Sequence, residues 1–125
     1  MTDEITLTFP PRQDFHRVAH LVLGGLAVRL DLTIDSLEDL QIALDSILDG
    51  TDADGDAVTV RMSLRDGALE TTVGPLPAHL LDEIEREHDG ELGLRRVLDS
   101  TVDDVLVDGD SVRLTKKVKK VALGG

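Results

Sequence analysis

The segment Ser36-Leu37-Glu38-Asp39-Leu40-Gln41-Ile42-Ala43-Leu44-Asp45-Ser46-Ile47-Leu48 decides the fold class, because its hydrophobic pattern is regular over almost four helical turns. Apolar side chains recur there every three or four residues and define one helix face: Leu37, Leu40, Leu44, Ile47 and Leu48. This spacing is typical of an amphipathic helix. Asp35 followed by Glu38 has the spacing of a capping box, and Gly50 can end the helix.

Strand-like and helical patterns surround this helix on both sides. They predict strands over 5–9, 58–62, 69–73, 102–107 and 112–116, and helices over 14–30, 78–87 and 92–100. Tight turns are expected at 65–67 and 108–110. Two hairpins and few βαβ units predict an α+β fold, a two-layer sandwich whose mostly antiparallel mixed sheet carries its helices on one face.

The same patterns bear on the extent of the domain and on the first helix. One domain is expected over 1–120, with a frayed end over 121–125. Gly24-Gly25 interrupts the first helix, which predicts a close approach or a kink at that point.

Composition excludes several classes of function. The 125 residues include no cysteine, so there are no disulfides, thiolate metal sites or cysteine nucleophiles. A net charge of −12 with two Phe and no Tyr or Trp disfavours nucleic acid and anionic lipid as partners. No apolar run reaches the length of a membrane span, and no secretory signal is recognisable, so a cytoplasmic protein is expected.

Histidine and aspartate patterns suggest metal sites that the spacing does not complete. His16 and His20 share a helix face, but zinc would need further ligands, and two solvent-side histidines are the simpler interpretation. His79 and His88 have no nucleophile beside them. The acidic turn over 52–56 fails the calcium-loop pattern, because Gly50 and Arg61 fall at ligand positions.

Three ordered segments carry a resemblance to a known family. They are the first strand and helix ending in Gly25-Leu26-Ala27-Val28-Arg29-Leu30, the segment Ser36 to Leu44, and Gly93-Leu94-Arg95-Arg96-Val97-Leu98-Asp99 with the closing strands. Together they cover most of the chain, which resembles the anti-sigma regulatory factor serine/threonine kinases of the GHKL, or histidine-kinase-like, ATPase superfamily. The resemblance implies the Bergerat fold, a sigma factor or an anti-sigma antagonist as partner, a role in transcription regulation, and ATP with magnesium as cofactors.

The catalytic residues that the resemblance implies are missing from their positions. The family's Glu and Asn, four apart on the second helix, fall on Ser46 and Gly50. Asp45 and Asp49 have the same spacing but lie one position earlier, which turns each side chain by about 100°. They are therefore a remote possibility as metal ligands, and no metal or catalytic residue is expected.

The rest of the nucleotide site is also altered. The family's DxGxG motif corresponds to Val73-Gly74-Pro75-Leu76-Pro77, which has no Asp. Gly90, Gly93 and Leu94 are what remains of its phosphate-binding segment.

Three functions follow from this sequence. The first is a non-catalytic regulatory protein that binds a sigma factor or an anti-sigma antagonist and needs no cofactor. The second is an active ATP-binding kinase with atypical motifs, using Asp45 or Asp49. The third is an assembly subunit that dimerises, including as a homodimer, through the first helix and first strand. The basic stretch over 116–120 is either a docking tail or a solvated end.

Overall fold

The computed structural model of the protein describes residues 4–29, 32–51, 55–86 and 93–117. Within these ranges the elements follow the predicted order. The strands are β1 (Glu4–Phe9), β2 (Val58–Arg65), β3 (Ala68–Gly74), β4 (Asp104–Asp108) and β5 (Ser111–Lys117). The helices are α1 (Gln13–Arg29), α2 (Ile34–Asp49), α3 (Ala78–Glu85) and α4 (Leu94–Thr101). The predicted α+β class is confirmed.

The five strands form one sheet in the order β1-β2-β3-β5-β4, and all neighbouring strands pair antiparallel. The register places Leu7, Val60, Val73, Val112 and Val107 in one row across the sheet. The central three of these side chains are fully buried, whereas residues of the opposite face, such as Arg61, are exposed. The helices therefore cover one face, and the other face meets solvent.

The sheet turns where the sequence predicts it to turn. Asp66 and Gly67 both have positive φ, 49° and 77°, which is the two-residue turn that matches the twist of a hairpin. Gly109, with φ of 63°, supplies the left-handed residue of the β4–β5 turn.

Helix α2 begins two residues earlier than the capping-box pattern predicts. Its N-cap is Thr33, whose hydroxyl accepts a hydrogen bond from the backbone N–H of Ser36 at 3.2 Å. Asp35 lies inside the first turn, where its charge interacts favourably with the helix dipole without capping it. The prediction that Asp35 caps the helix is wrong, while the predicted end at Gly50 is confirmed.

We expect Thr33→Ala to lower the free energy of unfolding by about 1 kcal/mol, because it removes the acceptor for an N-terminal N–H group of α2. Asp35→Ala should cost less, about 0.3–1 kcal/mol, since it removes only a dipole interaction. Urea denaturation of the two variants checks this order, and a larger loss in Asp35→Ala would restore Asp35 as the cap.

The paired glycines of α1 do not mark a close approach. Apart from the adjacent residues and the backbone of α1 itself, no atom would lie within 4 Å of a methyl group placed on Gly24 or Gly25, and the helix continues through both residues. The expected tight contact is therefore absent.

The core lies between α2 and the sheet. Of the predicted apolar stripe of α2, four side chains are at most 3% exposed and Leu37 is half-buried; the four are Leu40, Leu44, Ile47 and Leu48. In the part of the chain that the structure describes, no helix is both long and apolar enough to span a membrane.

Candidate functional site

The two positions of α2 to which the resemblance assigns a Glu and an Asn are Ser46 and Gly50, which carry neither a carboxylate nor an amide. The hydroxyl of Ser46 donates to the carbonyl of Ile42, one turn earlier, at 2.8 Å. Gly50 caps the helix, and its N–H donates to the carbonyl of Ile47 at 3.1 Å. Both residues serve the local hydrogen bonding of α2.

The space beside Gly50 is filled by α3. A methyl group placed on Gly50 would lie 2.5 Å from Cδ1 of Leu80, closer than any van der Waals contact allows. Leu80 is 2% exposed, and Ile84, one turn further along α3, is fully buried. An apolar side chain thus occupies the space of a Cβ at position 50, and a longer residue there would have to displace the methyl groups of Leu80.

The loop between β3 and α3 supplies packing rather than a polar side chain. Leu76 is 6% exposed, and its backbone N–H donates to the carbonyl of Asp110 at 2.8 Å. Pro77 precedes the first turn of α3 as its N-cap, without a side-chain hydrogen bond. No carboxylate stands in the loop to accept a hydrogen bond from a nucleobase.

A carboxylate of α3 contacts the N-terminus of α4. Gly93 is the N-cap of this helix and makes no side-chain cap bond, and the N–H of Leu94 donates to Oε1 of Glu83 at 3.3 Å. A helix N-terminus favours an anion. Here the anion comes from the protein itself, at the residues predicted to hold phosphate. Gly90, the third of them, lies outside the described residues.

Arg95 ties α3 to α4 next to this contact. Its Nη1 donates to the carbonyl of Ile84 at 2.9 Å, and its Nε donates to Oδ1 of Asp99, one turn along α4, at 2.9 Å. The arginine that follows the predicted phosphate segment is therefore engaged within the protein, and it holds α3 in place over Gly50.

Asp45 and Asp49 face away from α3, towards two histidines of α1. Nε2 of His20 lies 2.5 Å from Oδ1 of Asp45, and Nδ1 of His16 lies 3.6 Å from Oδ1 of Asp49. The His16 side chain is only 12% exposed, so the interpretation of it as a solvent-side histidine is wrong.

These four groups border an open cavity of about 500 Å³ between α1 and α2, together with Gln13, Asp14 and Arg17. No local sequence pattern predicts this arrangement, because the paired residues are 25 and 33 positions apart in the chain. Across the described ranges, no three His, Asp or Glu side chains are placed to hold one metal ion.

The other candidate residues lie apart from one another. His79 is exposed on α3, and Asp56 is exposed before β2. His88, Asp52 and Asp54 are outside the described residues. Of the basic stretch, Lys116 belongs to β5 and its Nζ lies 3.0 Å from Oδ2 of Asp39, whereas 118–120 are outside the described ranges.

Comparison with known proteins supports the fold alone. No protein-family model matches the chain, and no curated protein matches it. Among solved structures, the crystal structure of the RsbU and RsbW domains of Rv1364c from Mycobacterium tuberculosis is similar, with a TM-score of 0.71 and 15% sequence identity. The match covers 96% of this chain and 34% of that one. The predicted histidine-kinase-like ATPase fold is thus confirmed for a chain that spans about a third of its structural neighbour.

Proposed function

We propose that this chain is a non-catalytic, anti-sigma-factor-like regulatory protein, which acts by binding a sigma factor or an anti-sigma antagonist. The observation that carries the proposal is the packing of Leu80 against Gly50. The resemblance assigns the magnesium-binding side chain to position 50, and the Leu80 side chain fills the space beside that residue. A scaffold that retains its fold but lacks this ligand is suited to binding and not to phosphoryl transfer.

Other contacts support the loss of nucleotide binding independently. The Glu83 carboxylate lies at the N-terminus of α4, where it would repel a phosphate. The loop over 74–77 offers no acidic side chain for adenine. ATP with magnesium therefore does not fit the residues present, and no step of the function requires it.

The alternative of an active kinase depends on Asp45 or Asp49 as the metal ligand. Both carboxylates face histidines of α1, on a different side of α2 from Gly50 and Leu80. Recruiting either would leave a histidine without its partner and would require α2 to rotate within a core in which Ile47 is fully buried. This cost favours the non-catalytic function.

Binding measurements with purified partners test the proposal. Each alternative sigma factor and each anti-sigma antagonist of the source organism is titrated with the chain, with and without millimolar ATP–Mg. We expect one partner to bind with an affinity that ATP–Mg does not change. Absence of binding to all of them, or an affinity that depends on ATP, would contradict the proposal.

A second candidate function is that of an assembly subunit. It is favoured by the position of β1 at the edge of the sheet, where β1 pairs with β2 alone among the described strands. Such an edge is a template for pairing with another chain. Light scattering of the chain alone distinguishes a homodimer from the 13.5 kDa monomer.

A further inference from the structure

Two cavities open on the surface between α1 and α2, one towards each end of the helix pair. The two helices are antiparallel, since His16 faces Asp49 and His20 faces Asp45. One cavity is the polar one of about 500 Å³ beside Asp45 and Asp49. The other has a volume of about 290 Å³ and is lined by Gly24, Ala27, Val28, Leu32, Thr33, Ile34 and Leu37. We call the surface between the two helices, from one cavity to the other, the α1–α2 groove.

The α1 rim of the groove begins at Arg17 and is apolar beyond it. Arg17, Leu21, Gly24 and Val28 recur at spacings of three and four, so they lie on one face of the helix, and Arg17, Gly24 and Val28 line the two cavities. Leu21 is 76% exposed and Val28 is 80% exposed. No charged residue occurs between Arg17 and Arg29. A contiguous apolar stripe of this kind indicates an interaction surface.

The α2 rim of the groove carries acidic and apolar side chains in alternation. Glu38, Asp45 and Asp49 alternate with two exposed isoleucines, Ile34 and Ile42, along one stripe of the helix. The whole of α2 carries five acidic residues and no basic one; these are Asp35, Glu38, Asp39, Asp45 and Asp49. Three of these carboxylates already have a partner within the protein, His20 for Asp45, His16 for Asp49 and Lys116 for Asp39. The rim nevertheless carries more acidic than basic groups, so it suits a partner that brings positive charge.

We propose that the α1–α2 groove binds an amphipathic, basic helix of a partner protein. Apolar side chains of that helix pack on Leu21, Val28 and Ile34, and its Lys or Arg residues face the carboxylates of Asp45 and Asp49. The 16 residues of α2 give the groove a length of about 24 Å, enough for about four turns of helix. The different chemistry of the two ends fixes the direction of the bound helix. This inference rests on the proposed function as a protein-binding regulator and adds the surface and the chemistry of the partner.

The acidic rim argues against a second copy as the occupant. Two copies related by a two-fold axis through the groove would bring the carboxylates of both α2 helices together. Like charges facing each other across an interface are unfavourable. The same rim would repel the phosphates of nucleic acid.

A labelled peptide of 14 residues, with leucines on one helix face and lysines on the other, tests the groove by fluorescence anisotropy. A peptide of the same pattern with Glu in place of Lys is its matched control. We expect the Leu–Lys peptide to bind, with an affinity that falls as salt rises, and the Leu–Glu peptide to bind at least ten-fold more weakly. Equal binding of the two peptides, or no binding of either, would overturn the proposal.

Variants locate the bound peptide. Leu21→Asp should raise the dissociation constant at least ten-fold, whereas Leu106→Asp, at a 49% exposed residue of β4 on the other layer, should leave it unchanged. Asp49→Asn should weaken binding and reduce its salt dependence, and Asp82→Asn on α3 should not. Circular dichroism confirms that each variant is folded. If Leu106→Asp weakens binding as much as Leu21→Asp, or Asp82→Asn as much as Asp49→Asn, the peptide binds outside the groove.

Two further outcomes distinguish helix binding in the groove from homodimerisation and from the proposed non-catalytic function. A doubled mass of the chain alone, abolished by Leu21→Asp, would assign the groove to a second copy and overturn the proposal. If the peptide fails to bind while ATP–Mg also fails to bind, the groove assignment is wrong and the non-catalytic function stands.

Discussion

Leu80→Ala is expected to lower the free energy of unfolding by about 2–5 kcal/mol, the range for truncating a fully buried leucine. Leu80 is 2% exposed and lies against the end of α2 at Gly50. Its removal leaves a cavity between α2 and α3 that the helices fill only in part. Urea or thermal denaturation of the variant measures the loss.

Combining Leu80→Ala with Gly50→Ala tests whether the two residues are in contact. Gly50→Ala alone should cost about 1–3 kcal/mol by overpacking, because its methyl group would lie 2.5 Å from Cδ1 of Leu80. The backbone at Gly50, with φ of −83°, suits any residue, so no conformational cost adds to this. In the Leu80→Ala background the methyl group enters vacated space. The coupling energy should therefore be favourable, by about 1–2 kcal/mol.

Gly25→Ala is the matched control for that cycle. It is also a glycine-to-alanine change, but apart from the adjacent residues and the backbone of α1 itself no atom lies within 4 Å of the added methyl group. In the interior of α1 it should stabilise the protein by about 0.5–1 kcal/mol, equally with Leu80 or with alanine at position 80. If Gly50→Ala behaves like Gly25→Ala, then α3 does not cover the end of α2.

Gly74→Ala is expected to be more damaging than the same change at Gly24, Gly25 or Gly50, because the added methyl group meets a neighbouring strand. The methyl group would lie 2.1 Å from Oγ, 2.8 Å from Cβ and 3.0 Å from Cα of Ser111, on the neighbouring strand β5. Moving the Ser111 side chain alone does not relieve the contact with Cα, so β3 and β5 must separate. We expect a loss of about 3 kcal/mol, at the upper end of the usual cost of overpacking, measured by denaturation.

Ser111→Gly is the compensating change for Gly74→Ala. It removes the two closest atoms and leaves only the contact with Cα. The double variant should therefore recover part, but not all, of the stability lost. Full recovery would show that the backbones of β3 and β5 are further apart than described. If no stability is recovered, the loss in Gly74→Ala does not come from the contact with Ser111.

The sequence predicted those parts of the fold that local patterns encode. The stripe from Leu37 to Leu48 predicted α2. Arg65-Asp66-Gly67 predicted a hairpin turn, and in the structure Asp66 and Gly67 both have positive φ. The start of α2 was misplaced because Asp35 and Glu38 have capping-box spacing, while Thr33 can also reach the first free N–H groups. Two local signals competed, and the hydroxyl of Thr33 makes the bond.

For the candidate site, the sequence predicted only that the expected catalytic Glu and Asn are absent. Ser46 and Gly50 could be read from the chain, since position in α2 follows from its stripe. The features that replace the site are contacts between distant residues, which leave no local pattern. Leu80 lies 30 positions after Gly50, Glu83 reaches α4 from α3, and His16 meets Asp49 from the preceding helix.

The direction of Asp45 and Asp49 also needed the structure. The sequence left open a shift by one residue along α2, which would have made these carboxylates metal ligands. Consecutive residues of a helix point about 100° apart. Asp49 accordingly faces His16 of α1, while Gly50 faces Leu80 of α3.

Isothermal titration calorimetry of the unmodified chain with ATP–Mg measures whether a nucleotide site remains. The packing of Leu80 on Gly50 and the Glu83 carboxylate at the N-terminus of α4 leave no room for the nucleotide and its phosphates. We therefore expect no heat of binding up to millimolar ATP, with or without magnesium. Saturable binding with a dissociation constant in the micromolar range would contradict this expectation.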